Sequence, residues 1–219
     1  MIDDFIKRYS QFTYGAERRP GGSAFYAGLD LGQVMDFTAL AIVERTEVKG
    51  AWSAANFGFE WRHVLRLRHL ERVPLGTGYP DIVERVCRVM RSGALSTGSR
   101  SLAVDGTGVG RPVVDLLRRA DLGCRMWPVT ITSGETERYA DGYYRVPKRD
   151  LIVGLQVQLQ MERLEIAADL KEGPVLLKEM AGMRVEVKLR NEEFEAWREG
   201  EHDDLVLATA LACWAAGKA

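Results

Sequence analysis

This 219-residue sequence predicts an α/β fold, on three observations. The run Leu102-Ala103-Val104-Asp105 enters a Gly-rich turn, Gly106 to Gly110, and Pro112 then opens a helical stretch to about Ala120 before the apolar run Cys124 to Ile131. Strand, turn, helix and strand in that order set parallel strands side by side. Ahead of this unit, the apolar runs Phe25 to Gly32 and Thr38 to Val43 flank a short turn and read as a hairpin. Elsewhere, apolar residues recur at helical spacing, as at Ile82, Val86, Val89 and Met90.

Taken in order, residues 1–24 mix charge and tyrosine with a Pro20-Gly21-Gly22-Ser23 break and read as an arm or linker, leaving 25–219 as one folded domain. After the first hairpin, Trp61 to Val73 is a third strand. Its even positions carry Arg62, Arg66, Arg68 and Arg72 and its odd ones Trp61, His63, Leu65 and Leu67, the period of two of a half-exposed strand. Pro80 and Asp81 start a helix that ends near Gly93. Thr132 to Val146, polar and rich in Gly, Thr and Tyr, is a surface loop or hairpin expected to be mobile without a bound partner. A helix follows Pro147 with Leu151, Leu155 and Leu159 on one face, then a strand at Leu164 to Ile166 and a helix at Pro174 to Ala181. A second hairpin, Val185 to Leu189 with Phe194 to Trp197, precedes a last helix starting at Asp203-Asp204.

Composition narrows the function classes. A hydrophobic share of 46% and a charged share of 28% suit a chain that buries a continuous core. Thirty Lys+Arg against 31 Asp+Glu leave a net charge of -1, so any nucleic-acid contact must come from local basic patches. Cys87, Cys124 and Cys213 are odd in number and widely spaced, which argues against a disulfide framework or a zinc site and fits a reducing cytoplasm. Neither a signal-peptide core nor a membrane span is evident: Asp3 and Asp4 interrupt the start, and Leu205 to Ala216 is too short to cross a bilayer.

Carboxylates gather at three places. Asp30 ends the first strand and Asp105 the strand before the Gly-rich turn, where open α/β sheets place their ligands. Asp203 and Asp204 open the final helix. Singly, each has an ordinary explanation as a turn or capping residue. Together, two strand ends and a helix start can supply the converging oxygen ligands that a pair of divalent cations needs. Such a pair hydrolyses phosphodiesters by holding the scissile phosphate, activating water and stabilising the leaving oxygen.

Four segments carry a resemblance. Gly28-Leu29-Asp30-Leu31-Gly32 followed by Asp36-Phe37-Thr38-Ala39-Leu40, then Val104-Asp105-Gly106-Thr107-Gly108-Val109-Gly110, Val146-Pro147-Lys148-Arg149-Asp150-Leu151, and Glu201-His202-Asp203-Asp204-Leu205-Val206-Leu207-Ala208 resemble, in order, the nuclease domain of phage terminase large subunits. The resemblance implies a ribonuclease-H-like fold, a mixed central sheet flanked by helices. It also implies a two-metal endonuclease, using Mg2+ or Mn2+, that cuts concatemeric viral DNA during genome packaging. Asp30, Asp105, Asp203 and Asp204 match the metal-binding carboxylates. Implied partners are double-stranded DNA, a packaging ATPase, a small terminase subunit and a portal, in the cytoplasm of an infected host cell. The chain contains no Gly-x-x-x-x-Gly-Lys-Ser/Thr loop, so the motor is expected in another domain or a separate polypeptide.

Remaining signals are assigned around that centre. Arg62, Arg66, Arg68 and Arg72 are spaced for successive phosphates along one strand face, although charge on an edge strand also discourages pairing. Lys148 and Arg149 are candidate phosphate clamps, and the loop residues Arg138, Tyr139, Tyr143, Tyr144 and Arg145 mix aromatic and cationic groups suited to a nucleic-acid strand. His202 is a candidate proton shuttle. Two rival classes remain open: an actin-like or sugar-kinase-like phosphotransferase, separable by nucleotide-binding calorimetry, and a non-catalytic DNA-binding or capsid-docking module of the same fold.

Overall fold

The computed structural model describes residues 23–32, 36–108, 110–182, 186–188, 191–193 and 202–218. The predicted arm lies outside them except for Ser23 and Ala24. Eight strands form one mixed sheet in the order β6-β7-β5-β4-β1-β2-β3-β8. They are β1 (Ala24–Asp30), β2 (Thr38–Ser53), β3 (Gly58–Val73), β4 (Ser99–Asp105), β5 (Arg125–Thr132), β6 (Arg138–Ala140), β7 (Tyr143–Pro147) and β8 (Leu164–Ile166). Strands β1, β2 and β3 run antiparallel as a meander, while β4 lies parallel to β1 and β5 parallel to β4. This central order, β3-β2-β1-β4-β5, makes the fold ribonuclease-H-like.

Helices cover both faces. On one, α1 (Tyr79–Met90) and α2 (Gly110–Arg119) bury Ile82, Val86, Val113 and Leu117 against Phe25, Leu29, Leu40 and Leu102. On the other, α3 (Lys148–Gln160), α4 (Gly173–Gly182) and α5 (Asp204–Gly217) meet Tyr26, Ala41, Leu67 and Val129. The short strands β9 (Glu186–Lys188) and β10 (Asn191–Glu193) pair as the second hairpin. The predicted return strand, Phe194 to Trp197, lies outside the described residues, immediately after β10.

Helix α5 is the pivot of this second layer. Every residue from Asp204 to Cys213 is buried, the all-round burial of a helix enclosed by protein. Its alanines let it approach β1 so closely that a Cβ on Gly28 would lie 2.0 Å from the Ala208 carbonyl oxygen and 2.6 Å from the Ala212 nitrogen. Both are backbone atoms, so a collision cannot be relieved by rotating a side chain. Gly28→Ala is expected to cost at least the ~1–3 kcal/mol of core overpacking, read as a lower thermal midpoint. An unshifted midpoint would mean that α5 and β1 separate freely.

The strand β3 departs from its predicted alternation. A register shift pairs Ile42 with His69 and Val43 with Leu67, so Arg68 is an extra residue in a bulge. Before the bulge, odd positions Leu65 and Leu67 face α5; after it, even positions Leu70 and Arg72 do. From Val64 to Glu71 every residue is buried, because elements cover both faces. Arg66 and Arg68 therefore do not form an outer basic face, which corrects their assignment as DNA contacts. Arg66 donates from Nε to Glu165 Oε2 at 2.6 Å and from Nη1 to Thr46 Oγ1 at 3.0 Å. Arg68, 1% exposed, donates from Nε to Glu44 Oε2 at 2.8 Å. Arg62 is exposed, but ten residues of extended strand separate it from Arg72, about 33 Å.

Candidate functional site

The sheet register brings the first two carboxylates together. Leu29 pairs with Val104 across parallel β1 and β4, so the next residues, Asp30 and Asp105, end neighbouring strands. The chain leaves β1 toward β2 on one side and β4 toward β5 on the other, opening a crevice at the carboxyl ends. Gly110 lets α2 start immediately above, since a Cβ there would stand 2.5 Å from the Asp105 carbonyl oxygen. Asp105 Oδ1 accepts hydrogen bonds from Thr107 N at 2.9 Å and Thr107 Oγ1 at 2.5 Å. The same hydroxyl oxygen accepts from Ile131 N at 2.9 Å, tying the turn to β5.

The second pair arrives on α5. Asp203 occupies the N-cap position yet its side chain makes no capping hydrogen bond. Instead its Oδ2 accepts from Lys148 Nζ at 2.7 Å. Asp204 is 4% exposed and is gripped at both oxygens by Arg72, from Nε at 2.7 Å and Nη2 at 3.1 Å. Capping thus fails to explain either carboxylate. His202 is exposed, with Nδ1 4.0 Å from Asp204 Oδ1. Its ring meets Phe37 edge-on at 5.3 Å, and the Arg72 guanidinium lies 5.0 Å from the same phenyl centroid.

Electrostatics register the crowding. Burial pushes the Asp30 carboxyl well above its usual range, and Asp105, Asp203 and Asp204 each push it further, with Lys148 opposing. Burial also raises Asp105, against the Thr107 and Ile131 hydrogen bonds and Lys148. The cluster is therefore a set of mutually repelling acids, Asp30 and Asp204 buried and Asp105 and Asp203 half-buried, balanced by two cations, Lys148 and Arg72.

One acid escaped the sequence reading. Glu179 of α4 binds Arg72, and its Oε2 accepts from Val206 N at 3.3 Å, satisfying a first-turn amide of α5. Its signal was a carboxylate three residues after buried Leu176, on the same side of the helix. Burial, then Asp204, raises its pKa from 4.5 to about 7, against Arg72. A carboxyl raised in the folded state favours folding while protonated. Its contribution is full below about pH 4.5 and drains away as pH rises through about 7. Thermal midpoints of the metal-free protein are expected to fall from pH 5 to pH 8, and less steeply in Glu179→Gln. Parallel curves would exclude Glu179 from the linkage.

The donor chemistry, all oxygen, fits hard divalent cations. Among the described residues no three His, Cys, Asp or Glu side chains close on a single ion as placed.

Other predicted contacts divide. Lys148 is at the centre. Arg149 is half-buried, 3.6 Å from Asp150. Arg138 is exposed on β6, and Arg145 on β7 donates to Asp141 at 2.9 Å. The segment expected to be a surface loop or hairpin contains the antiparallel hairpin of β6 and β7, and β7 also lies parallel to β5 in the main sheet. Cys213 and Cys124 are raised to about 12 and about 11 by burial and are not thiolate nucleophiles. No helix among the described residues is long and apolar enough to cross a membrane.

No family model and no curated protein matches the chain. Among solved structures it is similar to RuvC from Thermus thermophilus, at 14% identity over 87% of this chain and 90% of that one, with a TM-score of 0.34. So distant a likeness carries no reading of activity.

Proposed function

We propose that this chain is a metal-dependent DNA endonuclease of the phage terminase type, cutting concatemeric viral DNA in the host cytoplasm during packaging. The observation that carries the proposal is the facing of buried Asp30 by Asp105, Asp203 and Asp204, an arrangement whose repulsion burial amplifies. A scaffold gains nothing from it, which disfavours a non-catalytic module. Asp30, Asp105, Asp203 and Asp204 would hold two Mg2+ or Mn2+ ions, which when bound supply Lewis acidity and neutralise charge on the scissile phosphate.

The chain's own groups complete the chemistry. Thr107 fixes the rotamer of Asp105, and Arg72 orients Asp204. Lys148, a cation at the crevice, is positioned to attract phosphate once Asp203 turns elsewhere. His202 Nδ1, at the exposed rim, takes up or returns a proton. Arg138, Arg145 and Arg149 hold backbone further out, on double-stranded DNA delivered by a packaging ATPase with a small terminase and a portal.

Plasmid nicking is the test. Magnesium or manganese is expected to support it, and calcium to bind with little turnover. Equal cutting in chelator would overturn the proposal.

A further inference from the structure

We infer that Tyr139 is a stacking platform for an unpaired nucleobase of the DNA strand engaged at the carboxylates, an inference that rests on the nuclease reading for where the cut falls. Three observations meet at this residue.

The first is position. Tyr139 pairs with Tyr144, Tyr144 with Val129, and Val129 with Asp105, so one row of the sheet joins the ring to the carboxylate. Three strand spacings amount to about 14 Å. A DNA strand covers that in about four stacked nucleotides.

The second is rigidity beneath an open surface. Tyr139 is 64% exposed, yet its ring sits 4.8 Å from that of Tyr144. Tyr144 in turn lies 5.4 Å from both Trp127 and Trp214, linking the surface ring to the core through supported aromatics. A preordered ring loses little conformational freedom when a base settles on it. Base stacking on such a ring tolerates any sequence.

The third is charge. Arg138 and Arg145 are direct cross-strand partners, next to the Tyr139 and Tyr144 pair, and strand alternation puts them on the opposite face. Like charges directly opposite destabilise a hairpin unless an anion lies between them. Asp141 answers part of this charge by accepting from Arg145 at 2.9 Å, while Glu137 is engaged by Trp214 Nε1 at 3.1 Å and Lys218 at 2.6 Å. The hairpin edge thus carries an aromatic face for a base on one side and two arginines on the other, which add positive charge for a phosphate backbone passing the edge. Bases inside a duplex are stacked on both sides, so only a splayed, frayed or single-stranded base can use the ring.

Affinity is to be measured by fluorescence anisotropy in chelator, for a duplex and for the same duplex bearing an unpaired flap that contains 2-aminopurine. The wild-type protein is expected to quench the 2-aminopurine. Tyr139→Ala should abolish the quench and weaken flap binding on the order of tenfold. Tyr139→Trp should retain both. Unchanged flap binding by Tyr139→Ala, or an equal loss on duplex and flap, would overturn the platform. Quenching without cleavage in manganese would sink the nuclease reading and leave the platform standing, whereas cleavage without quenching would sink the platform alone.

Discussion

Replacing Asp30 with Asn is expected to reduce metal-supported nicking by at least about 10²–10³-fold, the scale lost when a group that stabilises transition-state charge is removed. The same change should raise the melting temperature of the metal-free protein. Both expectations follow from one cause. Burial and three facing acids hold the Asp30 carboxyl above its usual range. Its stabilising contribution is complete below the ordinary carboxylate range and is lost as pH rises through the shifted value, above which the ionised form works against folding. Asparagine keeps the shape without the charge. Each kcal/mol recovered is worth about 2–4 °C in a domain of this size. Retained nicking would remove Asp30 from the chemistry, and a lowered midpoint would show that the carboxylate holds the fold together.

Breaking the pair of Arg68 and Glu44 is expected to be the most damaging single change to stability. Both side chains are essentially inaccessible, at 1% and 0% exposure, and Ser23 Oγ donates to the second Glu44 oxygen. Removing one partner strands the other charge in a low-dielectric interior, at a cost of about 3–5 kcal/mol. Arg68→Met or Glu44→Gln should each lower the melting temperature on the order of 10 °C. Joining Arg68→Met to Glu44→Leu should recover much of that loss, because the penalty lies in the unpaired charge. A cost under about 1 kcal/mol for the single changes would mean that water reaches the pair.

The elements were largely legible in the sequence because their signals are local. Apolar runs flanking a turn marked β1 and β2, Pro80 and Pro147 marked helix starts, and the Gly-rich turn marked the passage from β4 to α2. Asp30, Asp105, Asp203 and Asp204 were also visible, since strand ends and helix starts lead into the same crevice. What stayed hidden depends on long-range register. The β3 arginines read as one exposed face because alternation cannot reveal the bulge at Arg68, nor that helices cover both sides of the strand. Arg72, read as a phosphate contact, instead grips Asp204, and Glu179 drew no assignment because its role depends on α4 packing against α5. Tyr144 and Tyr139 were placed in a surface loop or hairpin, and their place in the main sheet stayed hidden because β7 pairs with β5, a partner that no local signal marks.

The extra residue at position 68 has a consequence of its own. Because neighbouring positions on a strand look to opposite sides, unbroken alternation through the same residues, with no bulge, would exchange the outlooks of Glu71 and Arg72. A carboxylate would then stand where Asp204 now meets a guanidinium. Arithmetic along the backbone, as much as the identity of any side chain, decides which sign of charge greets the end of the buried helix.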